Sequence, residues 1–161
     1  MKEIGLVHGF TFFRSLGGVQ SMLQRHWQGD AAWGVDSQFV AYFDPAEPAQ
    51  ERVRGLGLTW RHTIAQARRR FARAVSKTAP VKVYHNCWGL PFFADLDSAQ
   101  RRIGVLHSDW PGLPQCLRRV HAFVDGVLCV SQPLVAWARR EWADWDSERV
   151  AFLPYPAGRA Q

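Results

Sequence analysis

Residues 103–111 read Ile103-Gly104-Val105-Leu106-His107-Ser108-Asp109-Trp110-Pro111. A short apolar run of strand type stops abruptly at an imidazole, a hydroxyl and a carboxylate. Pro111 and Gly112 forbid a smooth continuation, because proline donates no N–H and biases the residue before it away from helix. A buried strand therefore delivers polar chemistry to one rim of a sheet. In open α/β sheets, ligands bind at that rim, beyond the carboxyl ends of the strands.

The same pattern recurs outward from this stretch. Residues 4–7 form an apolar run that opens into a long loop, His8-Gly-Phe-Thr-Phe-Phe-Arg14-Ser-Leu-Gly17-Gly18. Residues 37–43 read as a second strand closed by Asp44-Pro45, and 56–59 as a short third. A fourth, 81–84, ends in His85-Asn86-Cys87-Trp88-Gly89. A sixth, 127–130, ends at Ser131, and 150–153 is the last. Between them apolar residues recur at helical spacing: Val19, Met22, Leu23 and His26, then Ile64, Ala67, Phe71, Ala74 and Val75. Residues 115–123 and the run Leu134, Trp137, Ala138, Glu141 continue the series. Residues 47–54 predict one or two helical turns, and 90–96 a helix starting behind Pro91. Ser131 with Pro133 is an N-cap signal.

Strands alternating with helices predict an α/β fold, a Rossmann-like parallel sheet with helices on both faces. Right-handed crossovers put every strand-to-helix loop on one rim. The loops at 10–18, 85–89 and 107–112 and Ser131 are therefore expected to converge. Residues 1–153 read as one domain, and 154–161 as the start of a linker leaving it.

A chain of 161 residues can bury a real core, and its 47% hydrophobic content with eight tryptophans excludes disorder. No apolar run approaches the roughly 20 residues that span a bilayer. The N-terminus lacks the pattern of a signal peptide. Three cysteines without CxxC spacing suit a reducing cytoplasm, with Cys129 as core filler. The net charge of +6 is local: residues 61–79 hold Arg61, Arg68, Arg69, Arg70, Arg73 and Lys77 and no acid, which equals the whole excess. No nucleic-acid partner is expected on that ground. The basic helix reads either as a solvated face or as a surface for anionic lipid or an acidic substrate.

Gly17 and Gly18 stand at the mouth of a helix, where free N–H groups and the helix dipole attract anions. Glycine there admits a phosphate close to the backbone; a bare turn is the competing reading. Gly55-Leu-Gly57 is no dinucleotide fingerprint, and neither a G-x-S-x-G elbow nor a P-loop is present. His85, Cys87 and His107 lack the closed spacing of structural zinc, so no metal is expected. A lone His107 would read as structural. Ser108 and Asp109 beside it favour a functional reading, although Asp109 also suits a loop cap.

These motifs, in this order, make the chain resemble the N-terminal domain of GT-B glycosyltransferases of the retaining, nucleotide-sugar-dependent kind called glycosyl transferase group 1. The matching features are Gly17-Gly18-Val19-Gln20, Val83-Tyr-His-Asn86, Val105-Leu-His107-Ser-Asp109, Val127-Leu-Cys-Val-Ser131 and Arg149-Val-Ala-Phe-Leu-Pro154-Tyr-Pro. The resemblance implies that Gly17 and Gly18 approach the donor phosphates and that His107 lies beside the transferred sugar as the catalytic residue. It implies that Arg14, Asn86, Trp88, Asp109 and Trp110 face a glycan or lipid-linked acceptor. It implies no metal and a cytoplasmic enzyme, placed at the inner membrane face if the basic helix adheres there. The family's nucleotide-holding C-terminal domain, with its paired glutamates, has no counterpart in this sequence. The resemblance therefore implies half an active site. A non-catalytic α/β module binding a sugar or phosphate is the alternative that the fold itself leaves open.

Overall fold

The computed structural model describes residues 4–46, 51–86 and 89–154. Seven strands form one parallel sheet: β1 (Ile4–Phe10), β2 (Val35–Ala41), β3 (Val53–Gly55), β4 (Val81–His85), β5 (Arg101–Leu106), β6 (Gly126–Cys129) and β7 (Val150–Phe152). Their order across the sheet is β3-β2-β1-β4-β5-β6-β7. Among the described residues four α-helices connect them, α1 (Gly18–Gly29), α2 (Ile64–Val75), α3 (Leu113–Val120) and α4 (Gln132–Glu141). The expected α/β architecture, with helices on both faces, is the one observed.

Alternation along the strands feeds two separate cores. Phe10, Phe39, Ala41 and Val53 bury one face against Met22 and Leu23 of α1. Val7, Val40, Tyr84, Leu106 and Val127 bury the other against Ala67 and Phe71 of α2, Leu117 of α3 and Ala138 of α4. Only a strand buried on both faces can be apolar at consecutive positions, which is what made the runs legible. Trp142 closes the second core. Its indole donates 2.9 Å to the Leu117 carbonyl, tying the end of α4 to α3.

Several expected boundaries move. β1 runs on through His8, Gly9 and Phe10, because ladders with β2 and β4 hold it on both edges. The third strand is Val53–Gly55 and not 56–59. Leu56 and Leu58 are buried and still donate to the Ala41 and Tyr42 carbonyls. Gly57 between them sits at φ 58°, in the left-handed region, and breaks the extended run. The helical turns expected at 47–54 are not there over 53–55, which is strand; residues 47–50 lie outside the described residues. Residues 90–95 wind as a 3-10 helix instead of the α-helix expected behind Pro91. Helix α3 starts two residues early, with Pro114 in its first turn, and tightens to 3-10 at His121. Ile64, expected on the apolar face of α2, is 71% exposed and begins that helix, just after the Thr63–Gln66 capping box. The linker beyond Pro154 lies outside the described residues.

Candidate functional site

The chain leaves β1 toward β2 on one side, then returns past it to β4 on the other. The connections diverge between β1 and β4, and such a switch point opens a crevice at the carboxyl ends of its strands. Three strands place a histidine near it: His8 within β1, His85 at the end of β4 and His107 directly after β5. In register, His8 of β1 lies opposite Val83, and His85 of β4 opposite Val105 of β5, two residues before His107. The imidazoles join in series. Nδ1 of His8 lies 3.0 Å from Nε2 of His85, and Nδ1 of His85 lies 2.9 Å from Nε2 of His107. The rings are 5.3 Å and 5.1 Å apart, with Phe39 stacked on His8 at 5.1 Å.

Burial sets the charge of this row. His8 and His85 are almost sealed from solvent, and His107 is half-buried at the open end. Loss of solvation pushes His8 down to about 3, with His26 adding repulsion and Asp30 opposing it. Desolvation, then the neighbouring imidazoles, hold His85 well below its ordinary value. Burial lowers His107 to about 4. At neutral pH all three are uncharged, with one N–H each.

Two links and three protons leave two arrangements. In one, every ring donates through Nδ1, so His107 presents an N–H at Nδ1 and His8 Nε2 is a bare lone pair. In the other, every ring donates through Nε2, and His8 keeps an N–H there. His8 Nε2 is buried with no hydrogen-bond partner. Whatever meets that nitrogen decides which face His107 shows.

The remaining expected residues distribute as follows. Gly17 is the N-cap of α1 and Gly18 its first residue, both exposed, with no side-chain cap and no acid in the first turn. A Cβ on Gly18 would meet nothing within 4 Å, whereas one on Gly17 would strike the Gln20 amide. Arg14 is exposed in the loop after β1. Asn86 follows β4 with φ 72°, its N–H donating 2.8 Å to the Val105 carbonyl. Ser108, Asp109 and Trp110 are exposed after β5. The structure thus sets these loops at the carboxyl ends of β1, β4 and β5, and brings His107 itself onto His85. Trp88 and Cys87 lie outside the described residues. Ser131 serves α4, accepting from the Leu134 N–H, which is a capping role. Cys129 is fully buried and its thiol is pushed up to about 11 by desolvation, as core filler should be.

His8, His85 and His26 are the residues sequence reasoning left out of the site. The signal was present: three apolar runs each end in histidine. Their contact depends on β1, β4 and β5 being neighbours, which periodicity does not encode. The basic helix is also less free than its composition suggests. Arg68 grips Asp95 through two bonds of 2.8 and 2.5 Å, and Arg70 donates to the Leu56 carbonyl. No helix among the described residues is long and apolar enough to cross a membrane.

No protein-family model matches the chain, and no curated protein matches it in sequence. Solved structures do share its fold. One is an alpha-glucosyltransferase in complex with UDP and a 13-mer DNA containing a HMU base, with 11% identity and a TM-score of 0.60 over 96% of this chain. Another is an alpha-glucosyltransferase in complex with UDP-glucose and DNA containing an abasic site, with 12% identity and a TM-score of 0.57 over 94%. The chain spans 43% and 42% of those two proteins. Likeness at such identity establishes the architecture. It also overturns one expectation, the exclusion of nucleic acid, since both of these structures hold DNA. Charge gathered on one helix, used above against a nucleic-acid partner, is in fact the form that such a footprint takes.

Proposed function

We propose that this chain is the N-terminal, acceptor-side domain of a GT-B glycosyltransferase that moves a sugar from a nucleotide-sugar donor with retention of configuration. The observation that carries the reading is His107. It is a neutral imidazole on the rim next to the switch point, oriented from behind by a second, buried imidazole. The likeness in fold to alpha-glucosyltransferases with bound UDP supports it, as does the order of motifs along the whole chain. Residues 154–161 would lead toward a second domain that holds the nucleotide.

The division of labour follows from the chemistry of each position. The exposed N-terminus of α1, opened by two glycines, suits the donor's phosphates. His107 lies where it could hydrogen-bond a hydroxyl of the departing sugar. Retaining transfer builds positive charge at the anomeric carbon, so an uncharged imidazole is preferable there to a cation. Its hydrogen bond tightens as the leaving phosphate departs, which is where stabilisation raises turnover. None of these steps uses a metal. Arg14, Asn86, Trp88, Asp109 and Trp110 would face the acceptor, with tryptophan offering an apolar face to a pyranose ring. A glycan or lipid-linked acceptor fits such a surface. A nucleic-acid acceptor is the second reading, favoured by the DNA in both similar structures.

The test is transfer from a panel of nucleotide sugars to oligosaccharide, lipid-linked and DNA acceptors, using the protein together with its donor-binding domain. Product carrying the donor's anomeric configuration supports the proposal. Donor binding without transfer to any acceptor class returns the chain to a binding module, and an inverted product removes the retaining mechanism.

A narrower prediction concerns α1. Gly18→Ala should leave the fold intact and stabilise it by up to about 1 kcal/mol, since alanine is the better helix former and the added methyl meets open space. The same methyl would crowd a phosphate, so the donor Michaelis constant should rise about tenfold or more while thermal stability holds or improves. Unchanged donor kinetics in that variant would remove the phosphate from this turn.

A further inference from the structure

The buried end of the imidazole row has a chemistry of its own. His8, His26 and Asp30 converge from β1, from α1 and from the 3-10 turn Asp30–Trp33 that follows it. Their ligand atoms lie within 4.8 Å of one another. His8 and His26 stand ring to ring at 4.8 Å, and His26 Nδ1 lies 3.0 Å from the Asp30 carboxylate. Nδ1 of His8 is engaged by His85, so Nε2 is the nitrogen it has left. That atom is sealed and without a partner.

We propose that His8, His26 and Asp30 bind one divalent transition-metal ion of the zinc class. Two imidazoles and a carboxylate are a donor set that such ions take, at about 2.0–2.2 Å per ligand. Tetrahedral placement at that radius separates ligand atoms by about 3.3–3.6 Å. The widest observed separation therefore has to close by no more than about 1.5 Å, within the reach of side-chain rotation.

The surroundings match those of a metal site as well. Metal-binding histidines usually donate their other N–H to a fixed acceptor, and ligating carboxylates are themselves hydrogen-bonded. Here His8 can donate through Nδ1 to His85, and the Ser37 hydroxyl donates to Asp30. His26 and Asp30 retain side-chain exposures of 33% and 14%, a route for the ion from solvent. Positions 8, 26 and 30 match no established ligand spacing, so only the fold brings them together.

Occupancy would also resolve the two proton arrangements of the row. A metal on Nε2 of His8 forces its proton to Nδ1. That proton points at His85, whose own then points at His107, and His107 is left presenting Nδ1–H to the rim. The metal site itself does not depend on the transferase reading.

The experiment uses the full-length protein stripped with chelator, then titrated with Zn²⁺ against a chromophoric competitor and with Co²⁺ by visible absorption. The expected result is one equivalent bound, with melting raised by about 5–10 °C at a hundredfold excess over Kd. His26→Gln and Asp30→Asn, read separately, should each weaken binding about 100-fold or more and abolish the Co²⁺ band. His26 is partly exposed, so His26→Gln decides the matter if Asp30→Asn fails to fold. No binding at one equivalent, or binding that His26→Gln leaves unchanged because thiols or surface groups hold the ion, overturns the proposal.

Discussion

Acidifying the metal-free protein from pH 7.5 to 5 should remove a large share of its stability. Histidine in an unfolded chain titrates near 6.5. In the folded protein His107 titrates at about 4 and His8 at about 3, with His85 held low as well, chiefly because burial penalises the charged ring. Below 6.5 the unfolded chain therefore binds protons that the folded one excludes, and stability falls with pH. The contribution is complete above 6.5 and is lost as pH drops through 4 toward 3. At pH 5 the protons excluded by His8 and His107 cost about 2 kcal/mol each, and His85 adds a loss in the same direction, against a total of roughly 5–15 for a typical domain. Urea midpoints followed by circular dichroism at half-unit steps will show it. A dependence of about two protons or more is expected between pH 6 and 5, and a flat profile would mean that the row is solvated. His107→Gln should take one proton out of the slope.

On the transferase function proposed above, removing the imidazole at the rim should cost catalysis much more than folding. His107→Ala, in the protein joined to its donor-binding domain, is expected to lose turnover by about 100- to 1,000-fold. That corresponds to the 2.7–4 kcal/mol supplied by one preorganised donor to a developing charge. The fold should bear the change, since the lost link to His85 is one hydrogen bond at a half-buried position, costing about 1–3 kcal/mol with the buried partner left unpaired. His107→Gln keeps a donor at that place and should recover part of the rate. Comparison of kcat and melting temperature separates the two roles. Near-normal turnover, or a collapse in melting temperature, would make His107 a structural residue.

The elements that sequence revealed are those whose burial is simplest. β4, β5 and β6 are short runs buried on both faces, bounded by polar residues, and their positions follow from composition. The third strand did not, because Leu56 and Leu58 are as buried as any strand residue. What removes them from the ladder is one glycine at φ 58°. The histidine at 107 stood out for its neighbours Ser108 and Asp109. Its support by His85 and His8 did not, since neighbour relations in a sheet depend on crossovers and not on local pattern. His26 and Asp30 stand four residues apart, on the last turn of α1 and the 3-10 turn that follows it, a spacing common on any helix end. That His8 lies beside them required the registers of β1 with both β2 and β4. The charge argument fails for a different reason: cations gathered on one helix do not speak against a nucleic-acid partner, since clustering is the form that such a footprint takes.

The central place of β1 bears on how the molecule is made. His8 and its first partner are separated by 77 residues, and His107 comes 22 after that. A ribosome adding about 5–20 residues per second needs about 4–15 s between the first two. Through that interval β1 has β2 on one side and an unpaired edge on the other, the kind of edge that invites association with a second chain. Parallel pairing over such distances is also slow. The seam between β1 and β4 is therefore expected to be the late step of biogenesis, and a nascent chain halted before residue 81 the species that most needs a chaperone.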